Sequence, residues 1–317
     1  MLDAIFDIAY DQDVDVVVVA GDVFDIPDPS PEERHLVQRK FLEYDAAGYH
    51  ILCIPGNHDL VNAQGETAIH YLAMLHAHGR FKNSTIVEHT AYVKIRDTVF
   101  CLLCHRPGHF RKDSRRAVRD YHRSSIDTGA SSFVVVCHET IQGSLTDARM
   151  KDGSHYRMKT GEEAPDMTLP VTYWACGDIH KHQAVGSKAF YSGSPVQTKF
   201  DDDWPKGVLI VDTDDPEHPK FVPVPSNQLV KAGKDDIVPK GAFVKLKVRD
   251  AQELSSMELP ENVVKFDYEK SITSLAIDVG SSLRDKLTQG IRQQNPTDEE
   301  LEIALGEIET LLSSVVE

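Results

Sequence analysis

The chain has no apolar run long enough to span a bilayer, which excludes a helical membrane protein from the sequence reading. Its first residues, Met1-Leu2-Asp3-Ala4, carry an acid and no basic stretch, so a secretory signal is not expected. No internal repeat and no long low-complexity segment occurs, which argues against solenoid or tail-like architectures. Cysteine is scarce. All five (Cys53, Cys101, Cys104, Cys137 and Cys176) lie in apolar, strand-like runs, where buried free thiols are expected. Cys101 and Cys104 form a C-x-x-C, but an odd spacing in a strand sends the two to opposite faces, against a zinc knuckle. Free thiols fit a reducing cytoplasm. Positive charge is in short supply: 34 Lys and Arg stand against 50 Asp and Glu, a formal net charge of −16. Such a surface repels nucleic acid in the far field. It leaves a nuclease open, because bound divalent ions offset local charge and a partner can supply a DNA-binding surface.

The 41% hydrophobic and 26% charged composition is that of a globular protein, and 317 residues suffice for a large core and a second domain. Residues 1–10 have a helical period, and 14–20, nearly all valine, suits a strand covered on both faces. Pro27, Pro29 and Pro31 make a stiff loop before a helix over 32–47. A strand follows over 49–54 and a helix over 66–78. Residues 91–95 and 98–104 form a hairpin around Arg96-Asp97, and 110–127 are helical and basic. Further strands are expected at 132–137, 171–176, 189–191, 207–211 and 220–224, with an irregular functional loop over 141–168. Strands alternate with helices only early on, which favours an α/β sandwich of two sheets flanked by helices (α/β/β/α) over a plain doubly wound sheet. The expected domains are 1–228, a linker at 229–241, and a small α+β unit over 242–317, with strands at 242–248 and 263–267 and helices at 275–287 and 297–312.

Chemistry gathers at strand ends: Gly21-Asp22-Val23-Phe24-Asp25, Gly56-Asn57-His58-Asp59, Cys137-His138-Glu139 and Gly177-Asp178-Ile179-His180. Open α/β sheets place ligands there. Asp22 can bridge two cations, and the amide oxygen of Asn57 can coordinate a hard ion. His58 suits an outer-sphere role on a phosphate or its leaving oxygen, with Asp59 orienting the ring. Asp25 is either a supporting carboxylate or a loop residue. His138 ends a strand, and Asp178 and His180, two apart in an extended segment, face one centre. His182 faces solvent or phosphate, with a ligand role in reserve. Each taken alone could be a cap, a turn or a packed histidine; four such strand ends together point to a two-metal phosphoester hydrolase.

The order Gly-Asp-x-Phe-Asp, Gly-Asn-His-Asp, His-Glu and Gly-Asp-x-His-Lys resembles the calcineurin-like metallophosphoesterase superfamily, over about residues 1–225. The stretch from Val14 to Asp25, and Tyr191-Ser192-Gly193-Ser194-Pro195 before Lys206-Gly207, are similar to SbcD-type nuclease subunits, phage versions included. The resemblance implies Asp22 bridging two ions, Asn57, His138 and Asp178 on the second, His180 on the first, and His58 acting on the leaving group. Many members carry His where Asp178 stands; a carboxylate is a competent ligand for Mn²⁺ or Mg²⁺. It implies two divalent ions, Mn²⁺ before Mg²⁺, and hydrolysis of DNA by a water that they activate. It also implies an SMC-like ATPase partner of the SbcC type, a homodimer, repair or recombination, and a C-terminal capping domain.

One departure stands out. The family opens with a strand ending in Asp-x-His, and this chain starts at the helix that follows. A truncated gene model or fragment is the expected account, and a naturally degenerate subunit the alternative. Either way the first ion's site is expected to be incomplete, metal binding weak and DNA hydrolysis poor, with the valine-rich strand left as an open edge. A basic cluster runs from His105 to Arg123; Arg111, Lys112, Arg115 and Arg116 are candidate DNA contacts, or else a solvated helix face. Asp201-Asp202-Asp203 reads as a solvent loop. A small-molecule or protein phosphatase and a non-catalytic, ATPase-binding scaffold are the competing functions.

Overall fold

The computed structural model describes residues 1–62, 65–105, 110–124, 129–150, 152, 154–159, 170–202, 204–249, 254, 257 and 261–268. The helices expected at 275–287 and 297–312, and Asp203, lie outside them. The first compact unit covers Met1–Leu229 with Pro239–Ala242. It opens with α1 (Leu2–Asp11), β1 (Val16–Ala20), α2 (Pro31–Ala46), β2 (His50–Ile54), α3 (His70–Ala77) and β3 (Thr85–Ile86). Then come β4 (Ala91–Ile95), β5 (Thr98–Leu103), α4 (Phe110–Ser124), β6 (Ser132–His138), β7 (Leu145–Arg149), β8 (His155–Arg157) and β9 (Tyr173–Gly177). β10 (Gln183–Val185), β11 (Ala189–Tyr191), β12 (Gly207–Ile210) and β13 (Lys220–Pro223) complete it.

Two sheets carry the architecture. One has the order β1-β2-β3, all parallel; the other has the order β10-β11-β9-β6-β5-β4, with β5, β6, β9 and β11 parallel and the outer β4 and β10 antiparallel. The period of two divides each strand between layers. Leu52 and Ile54 meet Phe100, Leu102, Val134 and Val136 between the sheets. Ile51 and Cys53 turn the other way, onto Phe6, Phe41 and Leu72 of the first three helices. Val99, Cys101, Val135 and Trp174 bury against Ala117, Val118 and Tyr121 of α4. The α/β/β/α sandwich expected from the sequence is therefore present. The cysteines are all free and buried, and Cys101 and Cys104 fall in different core layers, as their spacing requires.

Pro31 is the first residue of α2 rather than part of the preceding loop. Ser30 caps the helix in a capping box with Glu33, a position where proline's missing N–H costs nothing. β1 is covered on both faces, Val17 and Val19 in one core layer and Val16, Val18 and Ala20 in the other. Among the described residues it pairs with β2 alone, so its outer edge is open and its residues are only half-buried.

Asp45, at the end of α2, is buried and accepts the backbone N–H groups of Lys82 (2.8 Å), Asn83 (2.9 Å) and Ser84 (2.7 Å), which pins the approach to β3. Burial pushes its carboxyl pKa up, but these donors outweigh burial and the net shift is downward. Its stabilisation is therefore present above the unfolded-chain pKa of about 3.9 and is lost as pH falls through the lowered folded value. Asp45→Ala strands three donors and is expected to cost about 3 kcal/mol or more in urea denaturation.

The second unit comprises Val230–Val238 and the chain from Phe243 onward. Its sheet has the order β14-β15-β16, formed by β14 (Leu229–Ala232), β15 (Phe243–Val248) and β16 (Val263–Tyr268). Ala232, Val244, Leu246 and Val248 form its core. β14 thus lies in the stretch read as a linker.

Candidate metal centre

The C-terminal ends of β1, β2, β6 and β9 meet at one edge of the sandwich. β6 brings His138 there, almost fully buried. Its Nδ1 lies 2.7 Å from the carbonyl oxygen of Ala20, which can only accept, so Nδ1 carries the proton and donates. Nε2 then faces oxygens: Asn57 Oδ1 at 2.8 Å, Asp22 Oδ2 at 3.2 Å and Asp178 Oδ1 at 3.8 Å. A bare imidazole lone pair aimed at these oxygens is repelled; a positive centre among them, proton or cation, removes the conflict. Burial works against charging His138, yet the Asp22 carboxylate outweighs it and the imidazole pKa is raised. Burial likewise raises that of Asp22, but the bond to His138 outweighs it and the net shift is downward. Two carboxylates, an amide oxygen and an imidazole nitrogen are a donor set suited to one borderline-hard divalent ion.

The backbone is bent to bring these groups together. Asp22 (φ 51°) and Asp178 (φ 89°) both adopt the left-handed region that L-residues avoid, and such strain is concentrated at functional sites. Gly21 has φ 87°, and a Cβ there would stand 2.2 Å from His138 Nδ1, so the turn can pass the imidazole only as glycine. Asp178 is held by the Thr140 hydroxyl, a partner with no signal in the sequence.

The loop after β2 is organised by Asp59, but not in the expected way. Its buried carboxylate accepts the N–H groups of Gly56 (2.8 Å), Phe24 (3.1 Å) and Val23 (3.2 Å), fastening the Asn57 loop to the Asp22 loop. It does not orient His58. That ring is exposed and donates from Nδ1 to the Asp25 carbonyl at 2.7 Å, with the Asp25 carboxylate 3.8 Å away. The His58 N–H donates to Asp22 Oδ1 at 3.0 Å. Asp59→Ala is therefore expected to loosen both loops and lower stability and metal affinity together. Asp25→Ala leaves the carbonyl in place and should change neither, which calorimetry on the two variants would check.

The His180 ring lies 3.2 Å from the Thr198 hydroxyl, and His182 donates to the Tyr191 carbonyl at 3.1 Å and stacks on Phe221. Among the described residues, no group of three His, Cys, Asp or Glu side chains is arranged to hold a metal ion; His138 Nε2 instead meets Asn57 Oδ1 and Asp22 Oδ2 directly. Asp202, read as solvent-facing, is buried instead and pairs with Lys206 at 2.5 Å, which also donates to Ser194 at 2.8 Å. In α4 the buried face carries Ala117, Val118 and Tyr121, while Lys112, Arg115, Arg116 and Arg119 are exposed, Arg116 lying 3.5 Å from Asp120. The side chain of Arg111 lies outside the described residues.

Residues 1–142 match the family model for calcineurin-like phosphoesterases. This segment is similar to that superfamily. It contains Asp22, Asn57, His58 and His138, three of the four residues gathered at the sheet edge among them. The chain is also 25% identical over 232 residues to the D component of nuclease SbcCD of Escherichia coli K12, covering 63% of this chain and 55% of that protein. Its counterpart from Escherichia coli O157:H7 gives the same figures. DNA double-strand break repair protein Mre11 of Methanopyrus kandleri is 25% identical over 199 residues, covering 59% of this chain and 41% of that one. The chain therefore spans about half the length of these relatives. No helix among the described residues is long and apolar enough to cross a membrane.

Proposed function

We propose that this chain is a metal-dependent phosphodiesterase acting on DNA, the nuclease subunit of an SbcCD-like repair or recombination complex in the cytoplasm. The observation that carries the reading is the convergence of Asp22, Asn57 and Asp178 on His138 Nε2 at the strand ends. These four would hold one divalent ion, Mn²⁺ before Mg²⁺; Asp22 and His180 would contribute to a second. Bound there, the ions supply Lewis-acid activation of water and charge neutralisation at the phosphoryl group. His58, exposed beside the centre and held through Nδ1, would present Nε2 to the leaving oxygen. The exposed basic face of α4 would track the phosphate backbone. An SMC-like ATPase partner and a homodimer belong to the same reading, as does the division into a phosphoesterase domain (1–228), a linker (229–241) and a capping domain (242–317).

A second reading, a scaffold subunit without turnover, draws on the direct contacts of His138 Nε2 with Asn57 Oδ1 and Asp22 Oδ2. Mn²⁺-dependent hydrolysis of linear double-stranded DNA and of a small bis-aryl phosphate separates the two. Hydrolysis of both, abolished by His138→Ala, supports the nuclease. Cleavage of neither at saturating Mn²⁺ supports the scaffold, and cleavage of the small ester alone supports a phosphatase.

A further inference from the structure

The backbone ladder between β5 and β6 ends at Leu103 and Cys137. β6 runs one residue further, and His138 pairs with Gly177 of β9 on its other side. The β5 flank of His138 is covered by a side chain instead. His105 Nδ1 lies 2.8 Å from the His138 carbonyl oxygen and 3.0 Å from Glu139 Oε1. Both partners are acceptors, so this nitrogen carries a proton shared between them. The side chains of His105 and Glu139 are 12% and 7% exposed, and the two histidine rings stand 6.0 Å apart, nearly perpendicular.

The residues that follow are tied down as well. The Tyr191 hydroxyl donates to the Glu139 carbonyl at 2.6 Å and accepts from the Ile141 N–H at 3.0 Å, and Thr140 donates to Asp178. A buried polar pair is seldom the most stable filling for its space, since apolar residues of like volume do as well or better. What His105 adds is direction. It holds the one carbonyl whose peptide sets the Cα–Cβ vector of His138, and through Glu139 it holds the next residue too.

We propose that His105, braced by Glu139, is a positioning residue for the sheet-edge cation site. By clamping the end of β6 it aims His138 Nε2 at Asp22 and Asn57. What His138 binds rests on the function proposed above; how it is aimed does not.

The test reads the His138 ring directly, by ¹⁵N spectra of the full histidine-labelled chain, with its signals assigned by their absence in His138→Asn. At a pH above the raised imidazole pKa, where the ring is neutral, the wild type is expected to show one Nδ1-protonated tautomer. His105→Leu removes the donor and should give averaged ring signals. His105→Asn places an amide N–H where Nδ1 stood and should restore the single tautomer, as should Glu139→Gln, which keeps the acceptor. Unaltered His138 signals in His105→Leu would overturn the proposal. So would averaged signals in a folded His105→Asn, which keeps the test decisive if the leucine variant fails to fold. A parallel Mn²⁺ titration should show affinity about 10- to 100-fold weaker in His105→Leu and near wild type in His105→Asn. If the wild type itself bound no Mn²⁺, the proposed function would fail while the tautomer comparison still decided the role of His105.

Discussion

Replacing His138 with alanine is expected to weaken Mn²⁺ binding by more than about 100-fold, since even residues one step removed from a metal are worth about 10- to 100-fold. His58→Ala should leave that affinity near wild type and lower turnover by about 10²- to 10⁴-fold, the usual worth of a positioned general acid. The contrast follows from placement. His138 is buried with Nε2 facing Asn57 and Asp22, whereas the His58 ring is exposed and held by the Asp25 carbonyl. Calorimetric titration with Mn²⁺, paired with rates on a bis-aryl phosphate, gives both numbers. Unchanged affinity in His138→Ala would remove it from the ligand set. Lost affinity in His58→Ala would make that residue a ligand or a structural support.

Neutralising Arg111, Lys112, Arg115 and Arg116 together is expected to weaken DNA binding and flatten its salt dependence, the log–log slope falling by about 0.9 for each phosphate that the protein no longer neutralises. Hydrolysis of the small ester should hardly change, because it needs the metal centre and no extended backbone track. Folding should survive: Lys112, Arg115 and Arg116 are exposed, and α4 is anchored by Ala117, Val118 and Tyr121. Equal losses on DNA and on the ester would make the cluster structural. An unchanged DNA salt slope would turn the search for the DNA surface to a partner, in keeping with the net charge of −16.

The strand ends were legible because local rules agree there. Continuous apolar runs stop at Gly21-Asp22, Pro55-Gly56 and Gly177-Asp178, where backbone turns and polar groups must be supplied together. The core layers were legible for the same reason. What escaped the sequence is set by contacts between distant segments. An Asp beside a His can steer the ring or cap backbone amides, and Asp59 does the latter because Val23 and Phe24, 36 and 35 residues away, present their N–H groups to it. His105 and Glu139 are 34 residues apart and become neighbours only through the β5–β6 register. Short strands such as β7, β8, β10 and β14 carry too few residues for a periodic signal, and β14 hid in a stretch rich in Gly, Asp and Pro. The buried Asp202 was masked by the acids around it; its burial depends on Lys206.

A divalent cation bound at the edge formed by β1, β2, β6 and β9 would be visible in a crystal. Anomalous diffraction from crystals of the full chain soaked in Mn²⁺ tests for it most directly. A peak bounded by Asp22 Oδ2, Asn57 Oδ1, His138 Nε2 and Asp178 Oδ1 is expected, with the carboxylates drawn back from the imidazole. Mn²⁺ bound elsewhere, with these four side chains still closed on one another, would contradict it.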